Sequence, residues 1–478
     1  MLSQELDQKA PISDMQGMAS KFPASVLQYN SAYRFNGAWK YTPDAGSPAF
    51  GTPKNTFLPR FGAAYRLNDK MALRVGYARY VMPLDTLATI IGAQNLYGFS
   101  ATTTTAPSLN GQPGAYLADP FPASNPLIQP VGRANGTRTN LGGSANWYKQ
   151  DPVGQGFNDR LSVSFQRQLP QFFALDVTFF QNFGSSYPYS KNMNMADPNL
   201  SYTYKTALSA TVANPFYKYP GMPGQLANQA NVTISSLLKP YPQYGSLSQD
   251  LMPGPSERYR SLQIRAQRQY TNGLSILATY MYFRERTESN GYTDIDTYNN
   301  NWRYIGSTAA RHRFVSAGTY DFPFGKGRRF LRGAHGVVDA VQSGWTLSAT
   351  SSLFSGQFLS FGGMLYNGTG TPGVYRRPSG LWFDTAQFAQ LPAFTLRSNP
   401  VLFEGLTGPR NWNVDAAMSK LFRLTERFGL EFRMDAYNMT NTFIPSNPTT
   451  SVTSSSFGRS TGQMNQGRTM QYTARIQF

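Results

Sequence analysis

The chain has 478 residues, enough for several soluble domains or one large β structure. Aromatic residues reach 14%, with 29 Tyr and 33 Phe, while charged residues also make up only 14%, well under the roughly 25% usual in soluble domains. The absence of cysteine excludes a disulfide scaffold, a thiolate metal site and a cysteine nucleophile. The net charge of +18 is spread along the chain, as at Arg258, Arg260, Arg265 and Arg268, without a basic helix or a zinc pattern. No nucleic-acid partner is expected, and basic residues near a membrane rim would equally meet anionic lipid head groups. No apolar run approaches the roughly 18 residues needed for a membrane-spanning helix.

The stretch Met1–Ala10 lacks a basic segment followed by an apolar core, so it does not read as a signal peptide. Residues 1–56 read as an irregular segment, an extracellular loop continuing from strands upstream, although Tyr29–Tyr41 offers one further strand. From residue 57 onward, segments of about ten residues alternate with period two. Segment 57–67 joins 71–82 through Asn68-Asp69, with Met71, Leu73, Val75 and Tyr77 opposite Ala72, Arg74 and Gly76. Segment 158–169 joins 172–183 at Pro170, and 258–270 joins 274–286 through Asn272-Gly273, a strong hairpin signal. A middling basic turn links 312–322 to 342–354, and Thr425-Glu426 links 412–423 to 428–439. Between these pairs lie long polar stretches at 83–157, 184–257, 287–311, 355–411 and 440–468.

Short and long connections that alternate strictly predict an all-β, antiparallel transmembrane β-barrel, with short periplasmic turns and long extracellular loops. About 11–12 strands are legible in the sequence. Leu430, Phe432, Met434 and Ala436 are expected to meet lipid, while Asp415, Glu431, Arg433, Asp435 and Arg475 are expected to face the lumen. Bacterial barrels use an even number of strands, so strands upstream of Met1 or the amino-terminal segment are expected to complete the ring. The last strand places Met470, Tyr472, Ala474, Ile476 and Phe478 on one side, and Gln471, Thr473, Arg475 and Gln477 on the other. An amphipathic strand ending on Phe resembles the signal that the barrel-assembly machinery reads, which makes the first five residues the expected assembly signal.

The residues offer little covalent chemistry. With His312 and His335 alone, a multi-histidine metal site is impossible. Ser236-Leu-Leu-Lys239 matches the Ser-x-x-Lys spacing of serine acylases without its companion motifs. Asp294 and Asp296 would suit a calcium loop, but Tyr298 occupies the next ligand position. No catalytic residue, metal or cofactor is expected, and ligand selection falls to the long loops.

Several motifs, in order, resemble those of the Oar-like TonB-dependent receptors. They are Phe57–Arg66 followed by Leu73-Arg-Val-Gly-Tyr77, Arg311-His-Arg-Phe314 with Phe322–Phe330, Gly344-Trp345 with Ser355-Gly-Gln-Phe358, Asn411–Asp415, Leu430–Arg433, Ala436–Asn441 and Phe457-Gly-Arg459. The resemblance implies an outer-membrane barrel of about 22 strands around a plug, energised through TonB, that binds a ligand with its outer loops and passes it inward. No TonB box or plug is legible in the sequence, so the expectation is the carboxyl-terminal part of such a barrel over 57–478. The TonB system would then act only through a plug outside this chain. Two other readings remain open: a self-contained porin or adhesin of about 12 strands, and a soluble secreted β-rich binding protein whose greasy faces form a sandwich core.

Overall fold

The structure is a computed structural model that describes residues 4–11, 15, 18, 20–29, 36–41, 55–83, 97–104, 108–109, 112–113, 116, 118–148, 154–222, 225–325, 328–333, 335–376, 380–423 and 428–478. Eleven strands form one antiparallel wall: β1 (Arg60–Asn68), β2 (Met71–Val81), β3 (Phe157–Leu169), β4 (Phe173–Ser185), β5 (Glu257–Thr271), β6 (Leu274–Ser289), β7 (His312–Asp321), β8 (Trp345–Phe354), β9 (Asn411–Arg423), β10 (Gly429–Tyr437) and β11 (Thr469–Gln477). Each pairs with its sequence neighbours, so spatial order equals chain order from β1 to β11. A short strand, Arg303–Gly306, extends the wall by pairing with the outer end of β6. Among the described residues, β1 and β11 pair on one side only.

The tight turns follow from their residues. Asn272 (φ 51°) and Gly273 (φ 79°) both take the left-handed conformation, which a two-residue hairpin of matching twist requires. At the β1–β2 turn, Asn68 accepts a hydrogen bond from the Lys70 amide at 2.9 Å. The β3–β4 turn uses Pro170 followed by Gln171 (φ 60°) and Phe172 (φ 64°). The Thr425-Glu426 turn lies outside the described residues.

Two expectations need correction. The strand predicted from residue 342 begins at Trp345, because Gly336–Gln342 forms a short helix, α1. The Trp345 indole donates to the Val341 carbonyl at 2.8 Å. Lys420 caps the same helix end, donating to the carbonyls of Val341 (3.0 Å) and Ser343, where the helix presents partial negative charge. Nor does Tyr29–Tyr41 add a strand to the wall: Asn36–Tyr41 pairs with Gln4–Pro11 in a separate two-stranded sheet.

The long connections carry cores of their own. One gathers Met15, Phe22, Val26 and Trp39 from the amino-terminal segment with Trp147, Leu208, Phe216, Leu237 and Leu247 from the two longest connections. The second packs Phe361, Trp382, Phe383, Phe388, Phe403 and Leu406, with Phe457 against it. Here Phe361 stacks on Phe388 at 5.5 Å and meets Phe403 edge-on at 5.3 Å, geometries that aromatic pairs prefer.

Candidate ligand-binding face

Cross-strand register assigns every wall residue to one of two faces. One face carries Arg74, Ser164, Thr178, Gln263, Thr279, Val315, Ser352, Arg433 and Thr473, set on the same side by the pairing and the two-residue alternation along each strand. The opposite face carries Val75, Val163, Phe179, Leu262, Tyr282, Phe314, Leu353, Phe432 and Ala474. The polar face is concave. Its side chains from β5 to β10 surround a hollow of about 570 Å³ that includes Gln267, Thr319, Thr350 and Ala417. A second hollow, of about 540 Å³, draws Arg66, Arg74, Gln166, Asp176 and Arg265 from β1 to β5.

Asp415, Arg433 and Asp435 all line the larger hollow. Arg433 grips Asp435 with its Nε and Nη2 donors, the shortest contact being 2.7 Å. Asp415 accepts from the Asn438 amide at 2.8 Å and so ties the outer end of β10 to β9. Glu431 and Arg475 stand opposite one another on β10 and β11, and Glu431 accepts from Gln477 at 3.1 Å. The five residues predicted to face the lumen therefore share the concave face, three of them around one hollow. Further polar side chains on this face escaped the sequence reading. Asp176 accepts from Gln166 and Thr178 at 2.7 Å each, and Tyr187 donates to Asn158 at 2.6 Å. The alternation that identified Arg433 marks Asp176 equally well.

The residues of the expected assembly signal lie on the other face. Met470, Tyr472, Ala474 and Ile476 pair with Ala436, Met434, Phe432 and Leu430, and Tyr472 stacks near Phe432 with ring centres 6.5 Å apart. Phe478 follows β11 and is 97% exposed. Phe61, Phe179, Leu262, Phe314, Leu353 and Phe432 are also exposed on this face. An apolar face this broad is foreign to a water-soluble monomer, and it suits lipid.

The outer connections are rigidly tied. Buried Asn194 donates to the carbonyls of Tyr241, Tyr244 and Gly245 and accepts from the Tyr241 amide. Asn399, fully buried, donates to the carbonyls of Gly362 (2.9 Å) and Pro400 (3.0 Å) and accepts from the Met364 amide (3.0 Å). Tyr202 links two connections by donating to Asp294 at 2.5 Å. Burial, that hydrogen bond and the Asp294 charge push the phenol up to about 12, so it remains a donor at neutral pH.

The serine and aspartate motifs of the sequence sit in local hydrogen bonds. Ser236 donates to the Thr233 carbonyl at 2.7 Å, a local turn bond rather than a link to a base. Asp296 is engaged by Thr293 (2.8 Å) and Arg303 (3.0 Å), and no cluster of three metal-ligating side chains occurs among the described residues. His312 packs on the outward face, 2.8 Å from the Tyr280 hydroxyl and 4.9 Å from the Tyr282 ring centre.

Among solved structures, the chain is similar to the ferripyoverdine receptor of the Pseudomonas aeruginosa outer membrane (10% identity, TM-score 0.38, covering 92% of this chain and 35% of the receptor). It is also similar to the Escherichia coli outer membrane transporter YddB (9%, TM-score 0.42, 88% and 40%). A third is the ferric enterobactin receptor PfeA of Pseudomonas aeruginosa (11%, TM-score 0.37, 93% and 40%). The chain thus spans no more than 40% of the length of these three. No curated protein matches it. The sequence profile of the outer membrane beta barrel domain matches residues 7–471. With an eleven-strand antiparallel meander, a polar concave face and an apolar outer face, the chain belongs to the outer membrane beta barrel domain family and resides in the bacterial outer membrane.

Proposed function

We propose that the chain forms part of the barrel wall of a TonB-dependent receptor, whose folded outer connections capture a ligand that then passes along the concave polar face. The observation that carries this reading is the pairing of that face with tightly tied connections at its outer end. A ligand site needs convergent polar groups held on a rigid frame, and buried Asn194 and Asn399 supply the rigidity. The ordered run of receptor-like motifs from Phe57 to Arg459 supports energised transport over passive flow. TonB would act through a plug beyond this chain, and the barrel-assembly machinery would read the strand ending at Phe478. Concave side chains such as Arg433, Asp435 and Asp415 would meet the plug or the passing ligand, with no covalent chemistry.

The absence of native cysteine makes the test direct. Thr350→Cys places a thiol at the concave hollow, whereas Leu347→Cys places one on the outward face. In membrane-inserted protein, a charged, impermeant maleimide should label the first and spare the second. Equal labelling would overturn the assignment of faces. Stable single-channel steps in planar bilayers from this chain alone would replace the energised receptor by a self-contained porin.

A further inference from the structure

At the outer end of the wall, Arg258 and Arg260 on β5 stand directly opposite Arg286 and Arg284 on β6. Like charges placed opposite one another in a sheet repel. Among the described residues, the carboxylate that answers them is Glu404, 2.8 Å from Arg284 and 3.3 Å from Arg286, with Arg311 at 3.8 Å. Arg258 stacks instead on Tyr304 (4.5 Å) and Phe183 (5.9 Å). Neither Arg258 nor Arg260 makes an ion pair among the described residues. Glu288, next on this face of β6, accepts from the Ser256 amide at 2.9 Å, so two carboxylates against five arginines leave a positive excess.

The height of the rank names its partner. β5 and β6 have 15 and 16 residues, whereas a tilted strand needs about 9–11 to cross the hydrocarbon. Counted from the Asn272-Gly273 turn, that length ends near Leu262 on β5 and Arg284 on β6. The arginines therefore begin where hydrocarbon gives way to head groups. Immediately below, on the same face, lie Leu262, Ile264, Tyr280 and Tyr282. A hollow of about 400 Å³ opens beside the rank, lined by Arg286, Arg311, Tyr304, Phe358 and Glu404 among others.

We propose that this rank and its hollow bind the phosphate of a phosphorylated lipid headgroup in the outer leaflet. Planar guanidinium groups pair bidentately with phosphate, and the acyl chains would run down over Leu262 and Ile264. Glu404 occupies part of the same cationic field, so phosphate displaces it, and the headgroup competes with the seat of the 355–411 connection.

The test titrates the full chain, purified in zwitterionic detergent, with a diphosphorylated glucosamine-disaccharide lipid in mixed micelles, and reads lipid retention by native mass spectrometry. Retention is expected for this lipid and not for its dephosphorylated analogue. Arg258→Gln with Arg260→Gln should weaken it about ten-fold, and Glu404→Gln should strengthen it. Equal retention of the dephosphorylated lipid, or no effect of the double substitution, would overturn the proposal. Displacement of the lipid by an equal concentration of inorganic phosphate would assign the site to free phosphate and refute a lipid partner. If the arginine variant loses its heat-dependent gel mobility, Glu404→Gln decides alone, because weaker retention there contradicts competition.

Discussion

Replacing Asn399 by Ala should loosen one outer connection while leaving the wall intact. Asn399 is fully buried and makes three side-chain hydrogen bonds. The carbonyls of Gly362 and Pro400 keep bonds from Arg397 at 3.0 and 3.2 Å, so they are not stranded. The Met364 amide loses its acceptor while remaining buried. One orphaned buried donor costs about 1–3 kcal/mol, and each of the two shared bonds adds about 0.5 kcal/mol or a little more. A total of about 2–4 kcal/mol falls on local opening of the aromatic core around Phe361 and Phe403. Amide hydrogen exchange at 358–366 and 402–407 should then accelerate roughly thirty- to a thousand-fold, with exchange in β5 and β6 unchanged. Unchanged exchange in the connection would refute the assignment of Asn399 as its tie. Equal acceleration in β5 and β6 would show instead that connection and wall open as one unit.

Deleting Phe478 should impair assembly, seen as loss of the heat-modifiable band in outer-membrane fractions, and normal insertion would count against an assembly role for the last strand. Lys420→Ala should destabilise the protein by about 1–3 kcal/mol in urea unfolding from liposomes, because the Ser343 carbonyl loses its side-chain donor and the Val341 carbonyl keeps only the Trp345 indole; Lys420→Arg should recover part of it. Burial alone would raise the Asp296 carboxyl, but bonds from Thr293, Arg303 and Asn301 and the Arg303 charge hold it below its ordinary range. Its stabilisation is therefore complete above the ordinary carboxylate value of about 3.9 and is lost as pH falls below that through the depressed folded value. Asp296→Asn should abolish the acid-dependent rise in hydrogen exchange over 291–306, and an unchanged rise would place the sensitive group elsewhere.

The wall was legible because its signal is local. A half-exposed strand alternates every second residue, so Leu430 to Ala436 disclose both faces without reference to the rest of the chain. Asn272-Gly273 needs only two residues to declare its turn. Helix α1 was missed although Val337, Val338 and Val341 carry helical spacing, because the flanking basic segment reads as a turn. The added strand Arg303–Gly306 is only four residues long and offers no period to detect. The connection cores were invisible for a different reason. Phe361, Phe383, Phe388 and Phe403 recur at no fixed interval, and their packing exists only after distant segments meet. Asn399 and Asn194 look like any loop asparagine until their burial is known.

That division between local and distant order has a functional consequence. Hydrogen bonds along each ladder hold the wall, and each strand fixes the register of the next, so a one-residue slip would exchange lipid-facing and concave side chains. The outer connections do not depend on that register. Their order comes from aromatic cores and a few buried amides, and such units open at lower free energy than the strands that carry them. Substitution in a connection can therefore reshape the outer surface at a local cost, with β5 to β10 still presenting Thr319, Thr350 and Arg433 to the same hollow. A barrel wall built this way can change its outer connections without changing how it spans the membrane. Glu404 is the described point where the two systems touch through ion pairs, since it extends from the 355–411 connection to Arg284 and Arg286 on the wall. The aromatic contact of Arg311 with Phe358 at 4.2 Å and the bond from the Ser355 amide to the His312 carbonyl at 2.9 Å join the same connection to the start of β7.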